Sequence, residues 1–236
     1  MSAVFESPFH DTTDWRTAAA RARPTNYRRN VYHATHALLI VWLVMHVLSP
    51  FGMVLTAGGF ALFAWTCELS RRRWPALNTA LMRFFAPFAH PHEHHDVNSA
   101  TWIVTALTVV ALLFSKPVAG VGVVVVGFAD PAAAIIGRRW GRTRLAGGRT
   151  LEGSLAFVGV GAAVASALLM LYMPGVTFAG AALVGIAAAV VGALAELYSR
   201  VDDNLSIPIA SGAAAWLTML ALGLNPGHGW LISRLV

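Results

Sequence analysis

The sequence predicts an all-α, polytopic membrane protein with about seven transmembrane helices and a cytoplasmic N-terminus. The first observation is composition: 57% of the 236 residues are hydrophobic and only 12% are charged, whereas soluble domains carry about a quarter charged residues. The second is that seven apolar stretches approach the roughly 20 residues that a helix needs to cross a bilayer. The third is the position of the basic residues between these stretches. The single cysteine, Cys67, excludes a disulfide framework.

The predicted spans form one helical membrane domain, residues 31–236, preceded by a cytoplasmic tail of residues 1–30. The third span is short and gains length from residues 97–100. The tail is polar and rich in Arg, so the first span does not resemble a cleavable signal peptide. In chain order the spans cover residues 31–49, 51–67, 101–115, 117–137, 152–173, 176–198 and 207–224.

The distribution of Lys and Arg predicts the orientation. If the seven spans alternate, every basic residue except Lys116 and Arg234 falls on the side of the N-terminus, and such an excess is typical of the cytoplasmic side. The net charge of +6 is therefore explained by topology and contact with anionic lipids, and no nucleic-acid partner is expected. The connections on the outer side are short, so we expect function in the cytoplasmic loops, residues 68–100, 138–151 and 199–206.

Asp130 is the most informative acidic residue, because it lies inside the fourth span, roughly 10 Å below its end. An ionisable group at this depth is costly and therefore indicates a functional site. Pro131 follows it, and an Asp before a Pro can cap a new helix. We predict that the helix breaks at Asp130 into residues 118–129 and 131–139, as is tolerated where a cavity is lined. A purely capping aspartate in a kinked helix is the alternative.

The segment from Gly137 to Arg149 alternates arginines with glycines and is bracketed by Asp130 and Glu152. Guanidinium groups and glycine backbones bind phosphate, and a divalent cation between the carboxylates would remove their repulsion of the anion. The alternative is an ordinary basic loop in which Glu152 favours the N-terminus of its own helix. Composition alone leaves both interpretations open.

Three other polar groups lie near predicted span ends. Asp202, Asp203 and Asn204 could hold a metal or a ribose, or could be ordinary turn and cap residues, and Glu196 would face the same region. The histidine-rich stretch 90–96 lacks the spacing of an H-E-x-x-H zinc site, so zinc is not expected. His33 could contact phosphate or simply lie at the interface.

Three motifs in this order resemble the CTP-dependent lipid kinases, the group of dolichol kinase, phytol kinase and yeast-type diacylglycerol kinase. They are FADPAAAIIGRRWGR at residues 128–142, RTLEGSLA at 149–156 and DDNLSIP at 202–208, with weaker matches at 28–33 and at Glu93 with 98–102. The resemblance implies a multi-span helical enzyme that transfers the γ-phosphate of CTP to a lipid alcohol with a divalent cation, Mg²⁺. The lipid could be phytol, farnesol, a polyprenol or diacylglycerol, and the residues alone do not fix the nucleotide base.

The resemblance also assigns residues. Asp130 matches the family element D-x-x-A-x-x-x-G-[KR], and Arg149 stands where K-[ST]-x-E-G usually has Lys, which keeps the charge but changes a point ammonium into a fork. We expect Asp130 or Glu152 to accept the hydroxyl proton, and Asp130 with Asp202 or Asp203 to bind the metal. The predicted nucleotide and phosphate ligands are Arg138, Arg139, Arg149, Gly137, Gly141, Gly153 and Asn204. Further candidates are Glu93, Asn98, Glu196, Arg29 and His33.

Two other functions compete with this interpretation. The phosphatidate cytidylyltransferases share the K-[ST]-x-E-G theme, and residues 226–229, PGHG, echo another of their motifs on the predicted outer side. A transporter would need a polar path, but no carboxylate lies near the outer half of a span. The expected partners are a membrane lipid and a nucleotide, with a homodimer as a candidate assembly. The preference for Arg over Lys suggests a bacterial plasma (inner) membrane, with the site facing the cytoplasm.

Overall fold

The computed structural model of the protein describes residues 27–85 and 97–235. These residues are α-helical with no strands, which confirms the predicted fold class. The described helices are α1 (Tyr27–Trp42, continued by a π-helical turn, Leu43–Val47), α2 (Pro50–Arg73), α3 (Pro75–Phe85), α4 (Ser99–Leu113), α5 (Lys116–Trp140), α6 (Leu151–Tyr172), α7 (Phe178–Tyr198) and α8 (Asp203–Ala221).

The helices confirm a multi-pass membrane protein. Six helices in the described part of the chain are long and apolar enough to cross a membrane, and α4, with 15 residues, is a shorter apolar helix. Helix α4 corresponds to the predicted third span, which was also short. Several spans begin directly after a capping side chain: Ser49, Thr150, Thr177 and Asp202 each accept a backbone N–H at 2.9–3.1 Å. Such caps satisfy amides that have no partner inside the helix.

Helix α5 is the central helix, and the predicted break at Asp130 is wrong. It runs without interruption through Asp130, whose backbone is helical (φ −61°, ψ −48°) and whose side chain caps nothing. A π-helical turn, Val125–Ala129, comes immediately before Asp130. Pro131 has no N–H and would clash with the preceding turn of a regular helix. A wider turn accommodates both effects without breaking the helix.

Close packing of small residues places the other helices around α5. Two thirds of its apolar stretch, 67%, is buried. A Cβ atom added at Gly127 would overlap that of Ala37 on α1, and one added at Gly122 would overlap the carbonyl oxygen of Pro208 on α8. Van der Waals contact of this kind holds helices together in lipid, where no hydrophobic force joins them.

The segment predicted as cytoplasmic loop 68–100 contains helical structure: α2 continues to Arg73 and α3 follows. Glu68 is buried and accepts bonds from Arg71 Nε and Nη2 at 2.9 and 2.8 Å. Arg71 also donates to Asn78 on α3 at 2.9 Å, and the backbone N–H of Asn98 donates to Glu68 at 3.3 Å. We call these four residues the Glu68 network. It joins the end of α2 to α3 and to the start of α4.

Candidate functional site

The candidate site lies where α5, α6, α7 and α8 meet the Gly- and Arg-rich segment. Arg149 Nη1 lies 3.2 Å from Glu196 Oε1 on α7, and Arg149 Nη2 donates a hydrogen bond to Asp203 Oδ2 at the start of α8. Asp130 on α5 interacts electrostatically with Arg149, Glu196 and Asp203. We call these four residues the Arg149 cluster. It brings together one residue from each of the three motifs and adds Glu196.

Local backbone structure explains how Arg149 reaches this position. Gly147 and Gly148 have positive φ values of 65° and 76°, which side-chain-bearing residues rarely adopt. The chain therefore turns back on itself, and Leu145 N donates to the Arg149 carbonyl at 2.9 Å. Thr150 then caps α6. Arg149 is thus held in an extended segment directly before a helix, with its side chain directed to α7 and α8.

The cluster is unevenly buried. The side chain of Glu196 is 2% exposed, and those of Arg149 and Asp203 are 34% and 30% exposed. Burial alone would lower the pKa of the Arg149 guanidinium, but the nearby carboxylates of Glu196, Asp203 and Asp130 outweigh it and raise that pKa above its ordinary value. Glu196 Oε2 is buried and makes no hydrogen bond to any residue that the structure describes. Glu196 is therefore the most buried group of the cluster, and one of its two carboxylate oxygens is unpaired among the described residues.

Asp202 and Asn204 lie beside the cluster and bond to each other. Asp202 Oδ1 accepts from the backbone N–H of Asn204 at 2.9 Å and from its side-chain amide at 2.8 Å. Asp202 is the N-cap of α8, as in the cap interpretation of this motif. The metal-binding role of Asp202 and the nucleotide-binding role of Asn204 stay predictions.

Glu152 is not part of the Arg149 cluster. It accepts a bond from the Thr143 N–H at 3.2 Å and lines a separate open groove of about 390 Å³. The other residues lining this groove are Arg139, Trp140, Gly141 and Arg142. The Arg139 guanidinium carbon lies 4.8 Å from the centroid of the Trp140 ring. Arg142 was not among the predicted ligands, although its place in the Gly- and Arg-rich segment was a signal for it.

The glycines predicted to bind phosphate lie in the contact between α5 and α6. A Cβ at Gly137 would lie 2.8 Å from Thr150 Oγ1, and one at Gly153 would lie 3.0 Å from the Ala133 carbonyl oxygen. A Cβ at Gly141 would overlap the carbonyl oxygen of Gly137. These glycines let the two helices approach closely around the α6 cap. Their contact with phosphate stays a prediction.

The remaining predicted residues lie away from the Arg149 cluster or outside the residues that the structure describes. Asn98 caps α4 and belongs to the Glu68 network, so the structure does not bring it to the Arg149 cluster. His33 lies on α1, which packs against the π-helical turn before Asp130. Arg138 is exposed at the end of α5. Glu93 and the stretch 90–96 lie outside the described residues, as does the side chain of Arg29.

The donor chemistry of the cluster suits a magnesium ion that is also bound by phosphate. Among residues 27–85 and 97–235, no three His, Cys, Asp or Glu side chains are grouped closely enough to hold a metal by themselves. Mg²⁺ commonly binds through only one or two carboxylates together with substrate phosphates. One or two of the carboxylates of Asp130, Glu196 and Asp203 would therefore suffice together with the phosphates, and Glu196 Oε2 has no partner among the described residues.

The PGHG sequence at residues 226–229 lies at the opposite end of α5. The N–H of Gly229 donates to the Leu113 carbonyl at 3.2 Å, and Ser115 Oγ donates to the Pro226 carbonyl. This segment therefore packs against the end of α4 and the start of α5. The Arg149 cluster lies toward the other end of α5. A helix of 25 residues separates its two ends by about 37 Å. The motif takes no part in the site, which does not favour the cytidylyltransferase alternative.

Comparison with known proteins gives relatives of one kind. The chain is similar to CTP-dependent diacylglycerol kinases and to a dolichol kinase. The CTP-dependent diacylglycerol kinase 1 of Schizosaccharomyces pombe is 25% identical over 66% of this chain and 76% of its own length. The enzyme of the same name from Saccharomyces cerevisiae is 23% identical over 64% of this chain, and the dolichol kinase of that yeast is 26% identical over 78%.

These relatives confirm the resemblance drawn from the motifs. The matched region spans about half of the diacylglycerol kinase from Saccharomyces cerevisiae, 52%, and 35% of its dolichol kinase. No family model and no solved structure matches the chain.

Proposed function

We propose that the protein is a lipid kinase that transfers the γ-phosphate of CTP to the hydroxyl of a membrane lipid alcohol. The Arg149 cluster carries the proposal, because its residues come from three distant motifs: Arg149 and Asp203 form an ion pair, and Asp130 lies within electrostatic range of both. The kinase relatives support the same activity. A transporter or a scaffold would not require these particular residues to converge.

Phosphoryl transfer depends mainly on positioning and charge neutralisation, which the residues of the site can provide. Arg149 would neutralise the triphosphate at the cluster. Arg138 and Arg139, at the end of α5, would add positive charge if the triphosphate extends toward the groove that Arg139 lines. A magnesium ion held by Asp130 with Asp202 or Asp203 would offset the charge on the phosphate oxygens. The lipid oxygen forms a bond to the γ-phosphorus while the bond to the β-phosphate oxygen breaks, and CDP leaves.

Asp130 is the better placed of the two predicted proton acceptors. It lies in the cluster with Arg149, whereas Glu152 lines the separate groove. The hydroxyl proton would pass to a carboxylate oxygen of Asp130 as the phosphoryl group moves. Because Asp130 lies below the end of its helix, a lipid hydroxyl in the inner leaflet can approach it while the tail stays among apolar side chains.

One assay tests the activity and distinguishes its closest competitor. The purified protein is incubated with γ-³²P-labelled CTP, Mg²⁺ and, separately, diacylglycerol, phytol, farnesol and a polyprenol. We expect labelled lipid phosphate and one equivalent of CDP with at least one of these alcohols. Release of pyrophosphate with formation of a CDP-lipid from phosphatidate would identify a cytidylyltransferase instead. If neither product forms with any of these lipids, the proposed function is wrong.

The proposal includes location and assembly. It places the protein in a bacterial inner membrane with the Arg149 cluster facing the cytoplasm, where CTP is available. The one-sided distribution of Lys and Arg supports this orientation. Light scattering of the same purified protein tests the candidate homodimer.

A further inference from the structure

The Arg149 cluster contains three carboxyl groups but only one positively charged group, the guanidinium of Arg149. Asp130, Glu196 and Asp203 all interact with Arg149. Glu196 uses Oε1 for this contact, and its second oxygen is buried without a partner among the described residues. Buried polar atoms are nearly always hydrogen-bonded. We therefore expect Glu196 Oε2 to bind a cation at another stage of the reaction.

The four residues also differ in how they are held. Glu196 and Asp203 lie on helices α7 and α8, whereas Arg149 lies in the segment that follows Gly147 and Gly148. Arg149 is one-third exposed, so its side chain can rotate toward the cytoplasmic side without displacing a helix. Because Glu196 and Asp203 belong to helices and Arg149 does not, the exchange proposed below moves the guanidinium and leaves the carboxylates in place.

We propose that Arg149 holds the place of the divalent cation until the nucleotide binds, and that Glu196 is a ligand of the cation that replaces it. This inference rests on the proposed function and adds an order of events to it. Arg149 leaves Glu196 and Asp203 for the phosphates of the nucleotide as the metal–nucleotide complex arrives. The divalent cation thus replaces the guanidinium of Arg149, and the carboxylates of Glu196 and Asp203 are never left without a positive charge nearby.

The exchange has a measurable consequence for binding of a metal alone. A divalent cation without nucleotide must compete with Arg149 for the same carboxylates, and Arg149 has no phosphate to move to. The cluster should therefore bind free metal weakly as long as Arg149 is present. Removing the guanidinium should expose a site for the metal alone.

The experiment measures binding of Mn²⁺, a paramagnetic substitute for Mg²⁺, to the purified full-length protein in detergent without nucleotide. Electron paramagnetic resonance of free Mn²⁺ gives the dissociation constant. We expect Arg149→Gln to bind one Mn²⁺ at least about tenfold more tightly than the unmodified protein, because a unit charge next to the carboxylates is removed. Arg144→Gln is the matched control, since it removes an exposed arginine from the same segment. Equal affinities of the two variants would overturn the exchange.

A second pair of variants tests Glu196. Adding Glu196→Gln to Arg149→Gln should abolish the gain in Mn²⁺ affinity, whereas adding Glu152→Gln should preserve it, because Glu152 lines the separate groove. If the gain survives Glu196→Gln, Glu196 is not a ligand. Circular dichroism and gel filtration establish that each variant is folded. If Arg149→Gln is unfolded, Arg149→Met is measured, because it also removes the positive charge and keeps a long side chain. An affinity for Mn²⁺ equal to that of the unmodified protein overturns the exchange.

The CTP assay separates this inference from the proposed function. Phosphate transfer by the unmodified protein without any gain in Mn²⁺ affinity for the Arg149 variants would refute the cation exchange and leave the kinase intact. A gain in affinity in a protein that transfers no phosphate from CTP to any of the lipids would refute the kinase activity instead.

Discussion

At the scale of single residues, the carboxylates differ in their position relative to Arg149, and the roles proposed for them follow from this difference. Asp130, Glu196 and Asp203 interact with one guanidinium, whereas Glu152, only three residues after Arg149 in the chain, faces a different groove. The motif places Arg149 and Glu152 together in sequence, but the α6 cap at Thr150 separates an extended residue from a helical one. Proximity in sequence therefore did not predict proximity in space for this pair.

The difference between Asp130 and Glu152 gives a direct prediction for catalysis. Asp130→Asn should lower kcat by at least about 100-fold, in the range that a lost proton acceptor produces. Glu152→Gln, the matched removal of a negative charge, should lower kcat less than about tenfold. Initial rates of phosphate transfer at saturating CTP and lipid measure both. Equal losses in the two variants would contradict the assignment of Asp130.

At the scale of helices, the structure differs from the prediction mainly where one sequence pattern is compatible with two local structures. An Asp-Pro pair inside an apolar stretch is compatible with a capped break or with a wider helical turn, and the turn at Val125–Ala129 formed. The spans themselves were predictable, because length and apolarity alone decide them. Helix α3 was missed because it is short and lies among arginines in a segment that favours a loop interpretation.

The Glu68 network predicts a stability difference between two adjacent arginines. Arg71→Met should destabilise the protein by about 3–5 kcal/mol, because it leaves the buried Glu68 carboxylate without its main partner. Arg72 also bonds to Glu68, at 2.9 Å, but its side chain is 50% exposed, so Arg72→Met should cost about 1 kcal/mol or less. Thermal unfolding in detergent compares the two variants. Similar melting temperatures would show that the network does not stabilise the fold.

The contact between α1 and α5 gives a second prediction for helix packing. Gly127→Ala should destabilise the protein by about 1–3 kcal/mol, because the added methyl group overlaps Ala37. Gly159→Ala is the control, since nothing lies within 4 Å of a Cβ at that position, and a helical Gly→Ala change is stabilising by up to about 1 kcal/mol. The melting temperatures should therefore move in opposite directions. A Gly127 variant as stable as the unmodified protein would contradict the close packing.

At the scale of the whole molecule, the cluster and residues 226–229 lie at opposite ends of α5. The sequence motifs predicted which segments meet at the site, and α5, α6, α7 and α8 bring three of them together. They did not predict that Gly137, Gly141 and Gly153 pack between helices, because a glycine needed for close packing and one needed for anion binding look the same in one sequence.

The orientation of the whole molecule can be tested by labelling. In a Cys67→Ser background, a cysteine replacing the exposed Arg144 should react with an impermeant maleimide only in inverted bacterial membrane vesicles. A cysteine replacing the exposed Arg234 should react only in right-side-out vesicles. Modification is read as a shift in mass. The opposite pattern would place the Arg149 cluster outside the cytoplasm and exclude cellular CTP as its donor.

The order of the cluster residues along the chain bears on biosynthesis. During translation Asp130 enters the membrane first, and Arg149 emerges from the ribosome before Glu196 and Asp203. A carboxylate in α5 therefore acquires its counter-ion before α7 and α8 deliver further negative charge to the same place. Each later acidic residue of the cluster is therefore synthesised after the guanidinium that can pair with it, and no stage of synthesis has several of these acids without Arg149.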